Sequence, residues 1–239
     1  MNGAVVSARS LDEALRALRN ASERTRVLAG GTDLMVELRS GRSEPDFVVD
    51  VWRVDELRGV HAELGGVRIG ALTTCAELVR SPLVRERADV LARAASEVGA
   101  QQIQARATLG GNLGTASPAA DLNPVLVALG ARVRLVSLAA RREIPVEEFL
   151  VGYRRTARRV DELIEALVIP ERASDERRGF RKVGTRRAQS ISKVVVALAL
   201  RVDRGVLRDV RGAAGSIADH TVRHATLEAA LEARTATAE

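Results

Sequence analysis

Aromatic side chains are nearly missing from this chain: one Trp, one Tyr and three Phe make up 2% of its 239 residues. So few flat rings leave little on which nucleic-acid bases could stack. Cysteine is confined to Cys75, which excludes an internal disulfide and any Cys-rich zinc or iron–sulfur site. A lone free thiol suits a reducing compartment, so a cytoplasmic location is expected. No apolar run reaches the roughly 18 residues of a membrane helix. The first residues lack the basic patch and apolar stretch of a signal peptide. Lysine occurs only at Lys182 and Lys193, so the 37 basic residues set against 31 acidic ones are nearly all arginine. A net charge of +6 and a pI near 10.7 invite a nucleic-acid reading. The basic residues are interleaved with acids and gathered into no arm, so no nucleic-acid partner is expected.

Familiar catalytic patterns are also lacking. No G-x-G-x-x-G and no Gly-Lys pair occurs, which removes the Rossmann and P-loop readings. No Ser-His-Asp or Cys-His arrangement stands out. His220 and His224 are spaced i, i+4, but they fall at a strand–helix junction without further ligands, and His61 stands alone. A metal needs three or four ligands, so none is expected. Cys75 reads as a small packed residue beside a helix start.

What is present is regular. Ser10 with Glu13 makes a capping-box pattern ahead of Leu11, Ala14, Leu15 and Leu18, and Thr74 with Glu77 repeats it ahead of a short helix ended by Pro82. "RVLAGG" reads as a strand entering a turn, "DLMVELRSG" as a helix closed by Gly41, and "DFVVDV" as a buried strand followed by a packing Trp52. Residues 83–98 read as one Ala-rich amphipathic helix. "ARVRLVSL" and "ELIEALVIP" read as strands, and Asp161 and Glu162 as turn caps. The charged stretch "ERASDERR" after Pro170 is the expected linker. Beyond it, three alternating segments predict an antiparallel sheet, followed by a helix from Thr226. Strands and helices in segregated groups indicate an α+β fold.

Two glycine-rich stretches carry the functional signal: "LAGGTDL", Leu28 to Leu34, and "TLGGNLGTASPAADLNP", Thr108 to Pro124. Adjacent glycines admit positive φ and let backbone N–H groups approach a ligand with no Cβ between. In the first stretch the turn falls between a strand and a helix start, where exposed amides favour an anion. Gly110, Gly111, Asn112 and Thr115 are placed to serve the same ligand from a second direction. A single Gly-Gly turn is more often punctuation; two, each rich in Thr, Ser, Asn and Asp, point to a phosphate-bearing ligand.

These motifs, with "FLVGYRRTARRVDELIEALVIP" and "FRKVGTRRAQSISKVVVAL", resemble the FAD-binding (medium) subunit of the molybdenum hydroxylases, the group containing xanthine dehydrogenase and carbon monoxide dehydrogenase. The similarity runs from the first helix to about Glu228. It implies an FAD-binding fold of the vanillyl-alcohol-oxidase (PCMH) type. Two α+β subdomains, 1–53 and 54–172, would precede a shortened C-terminal sheet-and-helix domain, 177–239. It also implies cofactor contacts. Leu28, Ala29, Gly30, Gly31, Thr32, Asp33 and Leu34 would wrap the pyrophosphate. Thr108, Gly110, Gly111, Asn112 and Thr115 would face it, and Ser117 and Asp121 would hold polar edges of the cofactor. Ile164 would lie against the flavin ring, and Lys182 would bring a positive charge near it. Implied partners are a 2Fe-2S small subunit and a molybdopterin-binding large subunit, with NAD a possible acceptor. Family members usually continue beyond "TLEAALEAR", so a trimmed C-terminal domain is expected. Tyr153 and Thr156 lie in the resembling stretch and would position the second subdomain. The alternatives are a scaffold subunit of this fold that has lost FAD and, more distantly, a basic nucleic-acid-binding protein.

Overall fold

The computed structural model describes residues 3–186 and 189–236. The first fifty residues alternate strand and helix: β1 (Ala4–Ser7), α1 (Leu11–Leu18), β2 (Thr25–Leu28), α2 (Leu34–Arg39) and β3 (Phe47–Asp50). The strands form a parallel sheet of order β1-β3-β2. Ser10 caps α1 by accepting from the Glu13 N–H, and the helix buries Ala14, Leu15 and Leu18 against the sheet. Gly41, at φ +69°, follows α2 as expected of a helix-closing glycine.

A short 3₁₀ turn, Asp55–Leu57, leads into β4 (Val60–Glu63) and β5 (Gly66–Gly70). A helical layer follows: α3 (Cys75–Arg80), α4 (Pro82–Arg87), α5 (Asp89–Ser96), α6 (Gln101–Gln104), α7 (Leu109–Thr115) and α8 (Asn123–Ala128). The chain then returns through β6 (Arg132–Val136), β7 (Arg141–Pro145), α9 (Val146–Phe149), the small hairpin β8 (Leu150–Gly152) and β9 (Arg155–Thr156), and β10 (Leu163–Pro170). These strands give an antiparallel sheet of order β4-β5-β10-β6-β7, with β8 and β9 paired apart from it. The Leu-, Val- and Ala-rich faces of the helical layer bury the larger core cluster on this sheet. Thr74 and Glu77 close a full capping box.

The helix expected over 83–98 is two helices. Ala88 leaves helical geometry at φ −148°, ψ 50°. The carbonyl of Arg87 accepts from Arg178 Nη1 of the C-terminal sheet at 2.5 Å, and the Leu91 N–H turns to Ala88. A tertiary contact thus breaks a segment whose local pattern is continuous.

The last sheet is antiparallel in the order β11-β12-β13-β14: β11 (Glu176–Gly184), β12 (Ser192–Asp203), β13 (Val206–Gly215) and β14 (Val222–Arg223). It is followed by α10 (Ala225–Leu231). The expected linker is shorter than its polarity suggests, because its last three residues begin β11. Glu176 is buried, bonded to the Arg178 guanidinium and to Arg211 at 3.0 Å. Charge there is matched inside the molecule, not spent on solvent.

Glu162 does cap its turn: it accepts the Arg159 N–H at 2.7 Å, and Arg142 grips both carboxylate oxygens at 2.6 and 2.8 Å. Burial alone would raise its pKa, but these donors outweigh it and hold the group below the ordinary carboxylate value. A depressed folded-state pKa stabilises the fold above the unfolded value and is lost as pH falls through the folded one. Urea unfolding at pH 7 and at pH 3.5 should therefore show a smaller acid-induced loss for Glu162→Gln than for the parent, from a lower starting stability at pH 7.

Candidate functional site

The two glycine stretches meet. A Cβ added to Gly30 would lie 1.8 Å from the Arg106 carbonyl oxygen, and one added to Gly111 would lie 4.0 Å from the Ala29 Cβ. Contacts between residues 76 and 82 positions apart thus bring the two stretches to one cleft between the first sheet and the helical layer. The two stretches are neighbours in the fold.

The two walls differ in kind. In the first, Gly31 takes φ +79°, and among the described residues nothing accepts a hydrogen bond from the N–H groups of Gly30, Gly31, Thr32 or Asp33. The Thr32 hydroxyl is likewise unbonded there, and these residues are half-buried or exposed. Leu28 ends β2 and Leu34 begins α2, so strand and helix hold the two ends of the turn. Four consecutive unbonded amides beside a helix start are the donor set that an anion requires.

The second wall was expected to be a similar amide hollow and is a helix instead. Thr108 caps α7 by accepting the Gly111 N–H at 3.0 Å. The Leu109 N–H donates to Thr73 and the Gly110 N–H to Ala71. Its first amides are therefore consumed within the protein. The glycines serve approach: a Cβ on Gly110 would meet the Ala71 Cβ at 2.6 Å and the Ala71 oxygen at 2.9 Å. Gly111 and Gly114, three apart, leave one side of α7 bare, flanked by half-buried Asn112 and Thr115. Asn112 Oδ1 is buried with no hydrogen-bond partner. A Cβ on Gly114 would lie 3.3 Å from Ile164 Cδ1, so Ile164 closes the far end of this bare strip. The pairing of β10 with β6 slips between Ile164 and Ala166, a bulge that aims the side chain toward α7.

The remaining expected residues form a second group. Asp121 is buried, with one oxygen on Lys182 Nζ at 2.6 Å and the other on the Ser192 hydroxyl at 2.6 Å. Lys182 also donates to the Glu97 carbonyl at 2.9 Å. Among the described residues no hydrogen bond joins this pair to the first loop, so Asp121 and Lys182 are placed with each other before anything else. Ser117 makes a local turn, accepting the Ala119 N–H at 3.3 Å.

Three residues that sequence reasoning passed over line the cleft. Gly114 was legible from its i, i+3 spacing to Gly111. Arg154, at φ +52° in the β8–β9 turn, reaches Asp33 and Glu37 at 2.6 Å each and so ties the hairpin over the first loop. Arg106 donates to the Gly30 carbonyl at 3.2 Å. Neither arginine carried a local signal, since the contacts join residues 76 and 121 positions apart. Tyr153, next to Arg154, is 63% exposed.

Two of the three histidines have structural partners: His220 Nδ1 pairs with Asp219 at 2.6 Å, and His224 Nδ1 accepts the Leu227 N–H to cap α10. Among the described residues no group of three His, Cys, Asp or Glu side chains is arranged to hold a metal.

A turn of free amides near a side-chain-free helix strip, with an orphaned amide oxygen beside it, fits a long phosphate-bearing cofactor lying between the first sheet and the helical layer. The comparisons agree. Residues 1–172 match the FAD binding domain in molybdopterin dehydrogenase, and the chain belongs to that family. Its cofactor is FAD. It is 33% identical over 180 residues to the nicotinate dehydrogenase FAD-subunit of Eubacterium barkeri, covering 74% of this chain and 61% of that one. It is 32% identical over 223 residues to the glyceraldehyde dehydrogenase medium chain of Sulfolobus acidocaldarius, covering 93% and 78%. A chain of carbon monoxide dehydrogenase from Hydrogenophaga pseudoflava superposes with a TM-score of 0.95 at 27% identity, covering all of this chain and 83% of that one. The chain thus spans about three fifths of the first of these relatives and more of the others. No helix among the described residues is long and apolar enough to cross a membrane.

Two outcomes follow from the packing. Gly110→Ala gains about 1 kcal/mol of helix propensity but drives a methyl into Ala71, which costs roughly 1–3 kcal/mol. Urea titration should show net destabilisation. Burial, reinforced by the charge of Asp121, pushes the Cys75 thiol up to about 12. Native protein at pH 8 should consume no disulfide-exchange reagent, and one equivalent should react after unfolding in guanidinium.

Proposed function

We propose that this chain is the FAD-carrying electron-transfer subunit of a molybdenum-containing hydroxylase. Its partners would be a 2Fe-2S small subunit and a molybdopterin-binding large subunit, and its outlet NAD or another acceptor. The observation that carries the reading is the approach of Gly30 to Arg106 and of Gly111 to Ala29, with unbonded amides on one side and a bare helix face on the other. The relatives' names support it: one is an FAD-subunit, another a medium chain. The free, buried Cys75 agrees with a cytoplasmic setting.

Each wall has its task in this reading. The amides of Gly30 to Asp33 and the Thr32 hydroxyl hold the diphosphate, with Leu28, Ala29 and Leu34 shaping the turn. Thr108 and Gly110 fix α7 in place, while Gly111, Asn112 and Thr115 face the cofactor and Ser117 shapes the exit of the helix. Asn112 Oδ1 accepts from a cofactor hydroxyl or ring N–H, which relieves its orphaned state. Ile164 packs against the flavin ring. The buried Lys182, oriented by Asp121, sets the local charge the ring experiences. FAD, when bound, supplies the redox chemistry, so the protein's share is orientation and electrostatics. The separate three-, five- and four-stranded sheets support a division into units 1–53, 54–172 and 177–239.

The test is flavin uptake. Purified chain should be yellow, or become so on adding FAD, and should quench flavin fluorescence. Gly114 is exposed and meets only the flexible end of Ile164, so Gly114→Leu should leave the thermal unfolding midpoint of the FAD-free protein within a few degrees. The same change should weaken FAD binding at least tenfold by occupying the bare strip. A chain that never takes up FAD sinks the proposal and favours the cofactor-free scaffold.

A further inference from the structure

Arg106 touches the first loop twice. Its backbone abuts Gly30 so closely that no Cβ fits between them, and its Nε donates to the Gly30 carbonyl at 3.2 Å. The guanidinium lies over the Trp52 ring, 3.6 Å from the centroid. Trp52 is fixed in turn. Its backbone N–H donates to the Asp50 carboxylate at the end of β3, and its backbone carbonyl accepts from Arg58 at 2.6 Å. Arg58 also holds the Leu72 carbonyl and lies over the same ring at 4.6 Å. The one tryptophan of the chain is therefore a braced plate on which Arg106 rests.

A trans peptide is planar, with its C=O and N–H pointing in opposite directions. Holding the Gly30 oxygen toward Arg106 aims the N–H of the same peptide, that of Gly31, away from it. A charged donor on the carbonyl also polarises the peptide and strengthens that N–H as a donor. Glycine on both sides leaves this peptide free to flip unless something outside the turn fixes it.

We propose that Arg106, braced on Trp52, is a positioning residue that locks the Gly30–Gly31 peptide with the Gly31 N–H presented to the FAD diphosphate. This rests on the first loop being the diphosphate cradle. Arg106 need not touch the cofactor; it sets the donor that does.

Titration of FAD into the FAD-free protein, followed by fluorescence, tests the idea with four proteins. Arg106→Ala should raise the Kd about tenfold, the worth of a charge-assisted bond. Trp52→Leu keeps both arginines and should raise the Kd about threefold to fivefold, whereas Trp52→Phe, which keeps a ring, should stay within twofold of the parent. In the FAD-free protein the Gly31 amide ¹⁵N resonance should move in Arg106→Ala and Trp52→Leu, and amides of β13 should not. Unchanged Kd in Arg106→Ala, or an unmoved Gly31 resonance, overturns the lock. Parent-like binding by Trp52→Leu beside a loss in Arg106→Ala also overturns it, in favour of a direct charge contact. A parent that binds no FAD defeats the cradle reading itself, an outcome separable from failure of the lock alone.

Discussion

Two places where backbone meets backbone with no side chain between them set the geometry of this molecule. Gly30 lies on the Arg106 peptide and Gly110 on the Ala71 peptide. The first contact joins the parallel sheet to the helical layer, and the second seats α7 on the turn after β5. Together they determine how far the amide turn stands from the bare side of α7, and therefore the width of the cleft. A single methyl at either point would have to displace main chain, which interiors packed to crystal density do not readily allow.

The cleft divides its hydrogen-bonding capacity unevenly. The N-terminal amides of α7 are satisfied by Thr73, Ala71 and Thr108, so the helix is finished as a structural element. The turn at Gly30 is unfinished, with its donors unspent. A buried donor left without a partner costs free energy, and half-exposure to solvent is what lets this turn persist before a ligand arrives. The hairpin turn at Arg154 adds a charge link to Asp33 and Glu37, binding the first loop to the β8–β9 hairpin.

Buried charge tells a parallel story at the C-terminal sheet. Lys182 and Asp121 join it to the segment after α7, and Glu176 with Arg178 and Arg211 joins its strands to one another. Desolvating such groups is costly, and removing one partner leaves the other stranded. Arg178 reaches further, to the Arg87 carbonyl where α4 stops. The helix break at Ala88 and the burial of Glu176 are thus two results of one docking event.

Much of the fold was legible in the sequence. The capping box at Thr74, the Ser10 cap, the closing role of Gly41, the strands of the antiparallel sheets and the helix near Thr226 follow from local periodicity and turn chemistry, which neighbours a few residues away are enough to fix. The site was legible as composition: "LAGGTDL" and "TLGGNLGT" announced a phosphate-bearing ligand, and their order announced a family. The tertiary structure decided what local patterns do not encode: that the second glycine run is a capped helix, that an Ala-rich helix breaks in two, and that Asp121 and Lys182 face each other. It also placed Arg106, Trp52 and Arg154 around one turn. Each of these depends on a partner tens of residues away, and the energy of such a contact is absent until the chain has folded.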